Sequence, residues 1–269
     1  MATIYSRPGE YDLEHGTDEE DIAFYQRLVV RLEARRVVEL GCGSGRITVP
    51  LAEMADEHDL TLLGIDMSDE MLGQAEAKLA QIPATCRSRV HLRREDIRDW
   101  SITPPVDLVI VPCSTLAHLL ELEDQLRAWR AAFENLSPGG RFVVDLTMPN
   151  LTAYGDSMAS PPRALVEMDI DQESDDGKHR LIRYKTTRYE AHRQRAHVHF
   201  LYDRFEMRPD DEQARRYISD FESHVYFPRE LQLLFLHTGF EIEQVWGGYR
   251  GERLRSHSRA IVMVGRKPA

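Results

Sequence analysis

The feature that most restricts this chain is the junction RVVELGCGSGR at residues 36–46. An apolar, β-branched run carries one carboxylate, Glu39, into three glycines at alternate positions, Gly41, Gly43 and Gly45, and then into an amphipathic segment. A short, almost continuous apolar run reads as a strand buried on both faces. The glycines therefore occupy a strand-to-helix turn. Glycine is needed there for positive φ, or to let a ligand lie against bare backbone. The helix behind such a turn offers N–H groups and a positive dipole end at the carboxyl edge of a sheet, which suits a nucleotide-like ligand. The dinucleotide fingerprint G-x-G-x-x-G needs a third glycine at position 46, where Arg46 stands. The spacing E-x-G-x-G-x-G thus argues against a nicotinamide dinucleotide.

Strand-like and helix-like runs alternate downstream. Strands are expected at 36–40, 61–66, 89–96, 106–113 and 141–146, and helices at roughly 18–34, 45–55, 68–82 and 122–136. Such alternation predicts parallel pairing with helices on both faces. Ser68, followed by Asp69 and Glu70, marks a helix start. SPGG at 137–140 reads as a helix stop and turn, and Pro50 predicts a slight distortion of its helix. After Pro149 the texture changes. Residues 164–227 alternate polar with β-branched and aromatic side chains, which predicts three or four antiparallel strands. PRELQLLFLHTG has Pro at its start and Gly at its end, as a helix should, and FEIEQVWGGY and SRAIVMVGRK complete the sheet. The resulting organisation is an N-terminal cover and helix (1–35), an α/β core (36–150), an antiparallel insertion (151–227) and a C-terminal helix with the last strands (228–269).

VVELGCGSGRITVPLA closely resembles the first motif of class I S-adenosylmethionine-dependent methyltransferases, and the motifs that follow are similar in order up to residue 146. LLGIDMSDEML has an acid ending the second strand, REDIRDW an acid after the third, VDLVIVPCSTLAHL the fourth-strand segment and LSPGGRFVVDL the fifth. The resemblance implies a Rossmann-like seven-stranded sheet, mostly parallel with an antiparallel last strand, plus the antiparallel β insertion. It implies S-adenosylmethionine as methyl donor and no metal. The donor would be held by Tyr11, Glu39, Gly41, Cys42, Gly43, Gly45, Asp66, Met67, Met71, Asp96, Ile97, Pro112 and Cys113. Asp66 would take the ribose hydroxyls, Asp96 the adenine amine, Ile97 and Met67 the ring, and Glu39 the ammonium of the methionine part. Cys42 is expected to pack rather than react, since no basic neighbour activates it.

The acceptor is a separate question. The N/D-P-P-Y/F tetrad of enzymes that methylate amide or nucleobase nitrogen is missing, and PCSTLAHL stands in its place. The net charge of −11 disfavours a phosphate-backbone partner. Both observations point to a small-molecule acceptor, methylated on nitrogen or oxygen. His118 is the candidate base, with Tyr5 and Tyr11 closing over the methyl group from an N-terminal cover like that of bacterial small-molecule methyltransferases. Tyr25 is a further candidate. The insertion, through Tyr184, Tyr202, Arg204 or Tyr226, is expected to build the acceptor pocket, a homodimer contact, or both. His197 and His199 share one strand face, but a metal site needs more ligands than two. Arg250 and Arg253 are candidates for an acidic acceptor. No apolar run approaches the ~20 residues that span a bilayer, no apolar leader opens the chain, and three scattered cysteines suit a reducing compartment, so a cytoplasmic location is expected. An aminopropyltransferase and a non-catalytic donor-binding protein are the alternatives.

Overall fold

The computed structural model describes residues 4–15, 19–161, 163, 166–174, 177–208 and 211–269. In chain order its helices are α1 (Pro8–His15), α2 (Glu20–Leu32), α3 (Thr48–Glu53), α4 (Asp69–Leu79), α5 (Ala84–Arg87), α6 (Leu122–Asn135), α7 (Leu151–Met158) and α8 (Pro228–Thr238). Its first strands are β1 (Arg36–Leu40), β2 (Thr61–Asp66), β3 (Val90–Arg94), β4 (Val106–Val111) and β5 (Leu136–Thr147). The later ones are β6 (Glu167–Glu173), β7 (His179–Glu190), β8 (Arg195–Arg208), β9 (Asp211–His224), β10 (Glu241–Trp246) and β11 (Ala260–Arg266). The chain divides into two compact units, one of residues 19–148 with 226–269 and one of residues 1–18 with 149–225. The expected 1–35 segment is thereby split, α2 joining the first unit and α1 the second.

The first unit is an α/β layer structure on a seven-stranded sheet of order β10-β11-β5-β4-β1-β2-β3. β1 to β5 pair in parallel, and β11, the last strand, runs antiparallel to both β5 and β10. Alternation along the strands builds the two faces. Val38, Leu40, Ile65, Val109 and Val144 pack under Trp129 and Phe235, whereas Val37, Leu62, Ile110 and Val143 pack under Leu28, Val29 and Leu51. Each fully buried side chain of this kind contributes about 1.5–3 kcal/mol. Strand order reverses between β1 and β4, so a crevice opens at their carboxyl ends, where open α/β sheets take ligands.

Local signals set the ends. The Ser68 hydroxyl accepts from the Met71 N–H at the start of α4, and Gly239, at φ +102°, closes α8. α3 begins only at Thr48, so Pro50 falls in the first turn, where no intrahelical N–H bond is lost. The helix is shorter than the 45–55 the sequence suggests because residues 41–47 are spent on the glycine turn. β5 also departs from expectation. SPGG is a bulged entry into the strand, with a register shift opposite β4, rather than a separate turn.

The second unit is a four-stranded antiparallel sheet of order β6-β7-β8-β9, with α1 and α7 in the same unit. Ala196, Val198, Phe200 and Tyr202 of β8 alternate onto one buried face. There Tyr202 stacks on Tyr217 at 4.7 Å, and Tyr154 of α7 stacks on Tyr189 of β7 at 4.4 Å. Among the described residues no helix is long and apolar enough to cross a membrane.

Candidate functional site

The glycine turn caps β1 against β2. The N–H groups of Gly41 and Cys42 both donate to the Ile65 carbonyl, at 2.7 and 3.0 Å. Gly41, Gly43 and Gly45 all take positive φ, at 74°, 52° and 79°. The turn is also crowded: a Cβ on Gly41 would stand 2.3 Å from the Thr115 methyl carbon. Backbone is therefore laid bare at the one place where a side chain has neither the room nor the dihedral freedom to stand.

Asp66 ends β2 facing this turn, half-buried. Its Oδ2 accepts from the Gly43 N–H and its Oδ1 from the Ser68 N–H, both at 2.9 Å. These two bonds orient the carboxylate while leaving each oxygen a lone pair. Met71 is buried beside Gly43, whereas Met67 holds its side chain out in solvent next to Asp66. Asp96 and Ile97 follow β3. Hydrogen bonds from Arg98 hold the Asp96 carboxyl below the usual carboxylate range, and Arg98 also pairs with Asp124 at 2.8 Å. Ile97 packs partly against the core.

Cys42 offers backbone only. Its thiol is buried towards Gly64, and burial raises its pKa. The loop after β4 carries two consecutive residues in the left-handed region, Cys113 (φ 56°) and Ser114 (φ 59°). This costly geometry turns the chain sharply after buried Pro112. The Cys113 thiol points at Asp21 and Arg46 instead of a ligand space, and burial pushes it up to about 12. His118 closes the short 3-10 turn Thr115–His118. His118 is exposed, yet the protein packed around its ring desolvates it enough to lower its pKa, and the Asp66 charge pulls partly the other way. Its imidazole is accordingly neutral at physiological pH and able to accept a proton.

Beneath the turn lies a buried polar network that joins the expected Glu39, Tyr25 and Cys113 to Asp21, Arg46, Thr48 and Asp145, none of which the sequence singled out. Asp21 of α2 is ion-paired with Arg46, whose guanidinium also reaches the Cys113 sulfur at 3.4 Å. Tyr25 donates to Asp145 at 2.6 Å. Asp145 is fully enclosed at the end of β5, and burial raises its carboxyl to about 6. Glu39 accepts from the Thr48 hydroxyl, and burial pushes it up to about 8. The signal available in sequence was weak: Arg46 directly follows the last glycine, and Asp145 ends an apolar strand.

Tyr226 is not part of the insertion face. It belongs to the α/β unit, buried, with its hydroxyl donating to the Leu116 carbonyl at 3.2 Å. Arg250 pairs with Glu20 on the surface. Tyr5 and Tyr11 belong to the second unit, their rings 6.2 Å apart, with Tyr11 stacked on His15 at 4.3 Å. There Glu10 of α1 accepts from Arg204 at 3.2 Å and from Tyr217, and Glu14 pairs with Arg183. Beside them a cleft of about 640 Å³ opens among Arg7, Glu10, Leu13, His179, Leu181 and Arg204. Tyr184 lies on β7, beside Met168 of β6 and Leu201 of β8. His197 and His199 pair with Glu222 and Asp220 at 3.0 and 2.8 Å, and the described residues hold no cluster of three metal-type side chains.

Residues 38–142 match the family model of a methyltransferase domain. The chain is 37% identical over 109 residues to a trans-aconitate 2-methyltransferase of Rhodococcus jostii, covering 39% of this chain and 37% of that protein. It is 28% identical over 145 residues to the dTDP-4-amino-2,3,4,6-tetradeoxy-D-glucose N,N-dimethyltransferase of Saccharopolyspora spinosa, covering 50% of this chain and 52% of that one. The chain thus spans about half or less of the length of these curated relatives. Over almost its whole length the fold is that of the CcbJ methyltransferase from Streptomyces caelestis, with a TM-score of 0.73, 24% identity and coverage of 94% and 97%.

Proposed function

From the match of residues 38–142 to a methyltransferase domain, we propose that the protein is a class I S-adenosylmethionine-dependent methyltransferase acting on a nitrogen or oxygen of a small-molecule metabolite. The observation that carries this reading is Asp66, oriented by two backbone N–H groups towards a turn in which three alternate residues are glycines at positive φ. The fit to the donor is chemical as well as steric. Asp66 keeps lone pairs for a vicinal diol, the bare turn admits a flat approach, and Glu39 is a buried acid with no paired cation among the described residues. Asp66 would hold the ribose, Gly41 to Gly45 the methionine part, Glu39 its ammonium, and Met67, Asp96 and Ile97 the adenine. When bound, the donor supplies an electrophilic methyl group on a sulfonium.

The remaining work belongs to the chain. Methyl displacement needs donor and acceptor held in line at near-contact distance, which is a positioning task. The left-handed pair Cys113–Ser114 carries Thr115 and His118 to the mouth of the crevice. A neutral amine needs little beyond desolvation, whereas a hydroxyl needs a base, and the neutral His118 ring is suited to take that proton. The acids near the end of β4 are Asp21, locked to Arg46, and Asp145, hydrogen-bonded by Tyr25. Neither is free to receive an aminopropyl donor's cation, which favours methyl over aminopropyl transfer.

The acceptor class follows the relatives by proposal only. Amino sugars and small polycarboxylates are the first two to test, with radiolabelled donor and release of S-adenosylhomocysteine as the readout. Label transfer to either class supports the proposal. Donor binding without transfer to any small molecule in a metabolite extract would favour a non-catalytic binding protein.

A further inference from the structure

Glu39 occupies an electrostatic position that donor recognition alone does not explain. It sits on β1 with its side chain buried, and it accepts a hydrogen bond from the Thr48 hydroxyl of α3. No Lys, Arg or His among the described residues is paired with it. The charged and titratable groups around it come from the glycine turn, β2 and α2. Arg46 of the glycine turn supplies the favourable field, Asp66 of β2 and Asp21 of α2 oppose ionisation, and the Cys42 thiol is a neutral neighbour kept so by burial. The Arg46 charge is moreover already committed to Asp21. A buried carboxylate without a paired cation prefers its neutral form, and burial accordingly pushes Glu39 up to about 8.

We propose that Glu39 is a proton-coupled receptor for the α-ammonium of the donor: it carries a proton in the donor-free protein and gives that proton to solvent as the ammonium takes its place. The inference rests on the proposed function for the identity of the ligand. The exchange balances. The Glu39 O–H bond breaks, its electron pair stays on the carboxylate, one proton enters the bulk, and an ion pair forms in place of the acid. Donor capture and its reversal therefore move one proton. Below pH 8 the affinity falls as pH falls, approaching tenfold per pH unit, and ligands that lack the ammonium escape this dependence.

The test is calorimetry on the intact protein at pH 6.5, in buffers of different ionisation heat, with S-adenosylmethionine, S-adenosylhomocysteine and 5′-methylthioadenosine. At that pH the free α-ammonium is charged, its pKa being about 7.7–8.0. The expected result is release of close to one proton with the first two ligands and none with the third. Glu39→Gln should bind the donor without proton release and with affinity nearly flat from pH 6.5 to 7.5. Donor binding by the wild type with no proton exchange, or unchanged release in Glu39→Gln, overturns the inference while leaving the proposed function standing. No binding of any of the three overturns both. Should the variant not fold, infrared difference spectra of the wild type decide. Loss of a protonated-carboxyl band on adding S-adenosylmethionine, but not methylthioadenosine, is expected, and the same band change with both ligands, or with neither, overturns the inference.

Discussion

Three positions at or near the glycine turn, Gly41, Asp66 and His118, show how little substitution the site tolerates. At Gly41 a new Cβ meets the Thr115 methyl carbon at 2.3 Å while φ is +74°. Overpacking and left-handed strain each cost about 1–3 kcal/mol. Gly41→Ala should therefore lower stability by about 2–6 kcal/mol in urea unfolding, and Thr115→Ala in that background should restore only the packing share. Full restoration would mean that φ is not strained there. At Asp66, removing one charge from a charge-assisted pair costs about 1.5–3 kcal/mol. Asp66→Asn should weaken donor binding about 10- to 100-fold with unchanged circular dichroism, and a change below twofold would contradict the ribose role. His118→Ala should slow turnover of a hydroxyl acceptor about 10²- to 10⁴-fold and of an amine acceptor far less. Equal turnover with a hydroxyl acceptor removes the base. The glycines and Asp66 were legible in the sequence because their signal is local. Arg46 and Asp145 were not, since their partners Cys113 and Tyr25 lie 67 and 120 residues away.

The helix α2 is held by contacts that hydrophobic periodicity does not announce. Spacing alone marks Ile22, Tyr25, Val29 and Leu32 as its apolar face; Tyr25 and Val29 are buried together with Phe24 and Leu28, whereas Ile22 and Leu32 are half-buried. Its two polar anchors, Asp21 to Arg46 and Tyr25 to Asp145, appear only once the sheet brings β5 beneath it. Breaking a buried ion pair from one side leaves an uncompensated charge and costs about 3–5 kcal/mol. Asp21→Ala should show that loss in chemical unfolding. Asp145 adds a pH signature. Its folded carboxyl titrates near 6 against a reference of 3.8, so the folded state binds the proton more tightly than the unfolded one. Its contribution is complete below about pH 4 and disappears as pH rises through 6. Asp145→Asn should erase that part of the decline in stability between pH 4 and 6, and an unchanged pH profile would contradict the assignment. Strand positions were legible because burial on both faces leaves continuous apolar runs. The bulged start of β5, helix α7 and the late start of α3 were not, because each depends on a neighbour or on a turn that consumes residues.

At the scale of the whole molecule, the seven-stranded order with one antiparallel strand follows from alternating strands and helices and then a C-terminal helix and strand pair. The grouping of α1 with the residue 149–225 sheet was not legible. It depends on Glu10 and Glu14 meeting Arg204, Tyr217 and Arg183, 169 to 207 residues downstream, and such polar pairs have no periodicity to read. The central claim remains that the first βα turn and Asp66 together hold S-adenosylmethionine. A ligand at 100 times its dissociation constant stabilises the folded state by about 2.7 kcal/mol, worth about 5–11 °C for a domain of 150–250 residues. Thermal unfolding of the purified protein with saturating S-adenosylmethionine, S-adenosylhomocysteine or NAD tests this most directly. An upward shift of about 5–11 °C is expected with the first two and none with NAD. A shift with NAD and none with the adenosyl compounds would contradict it.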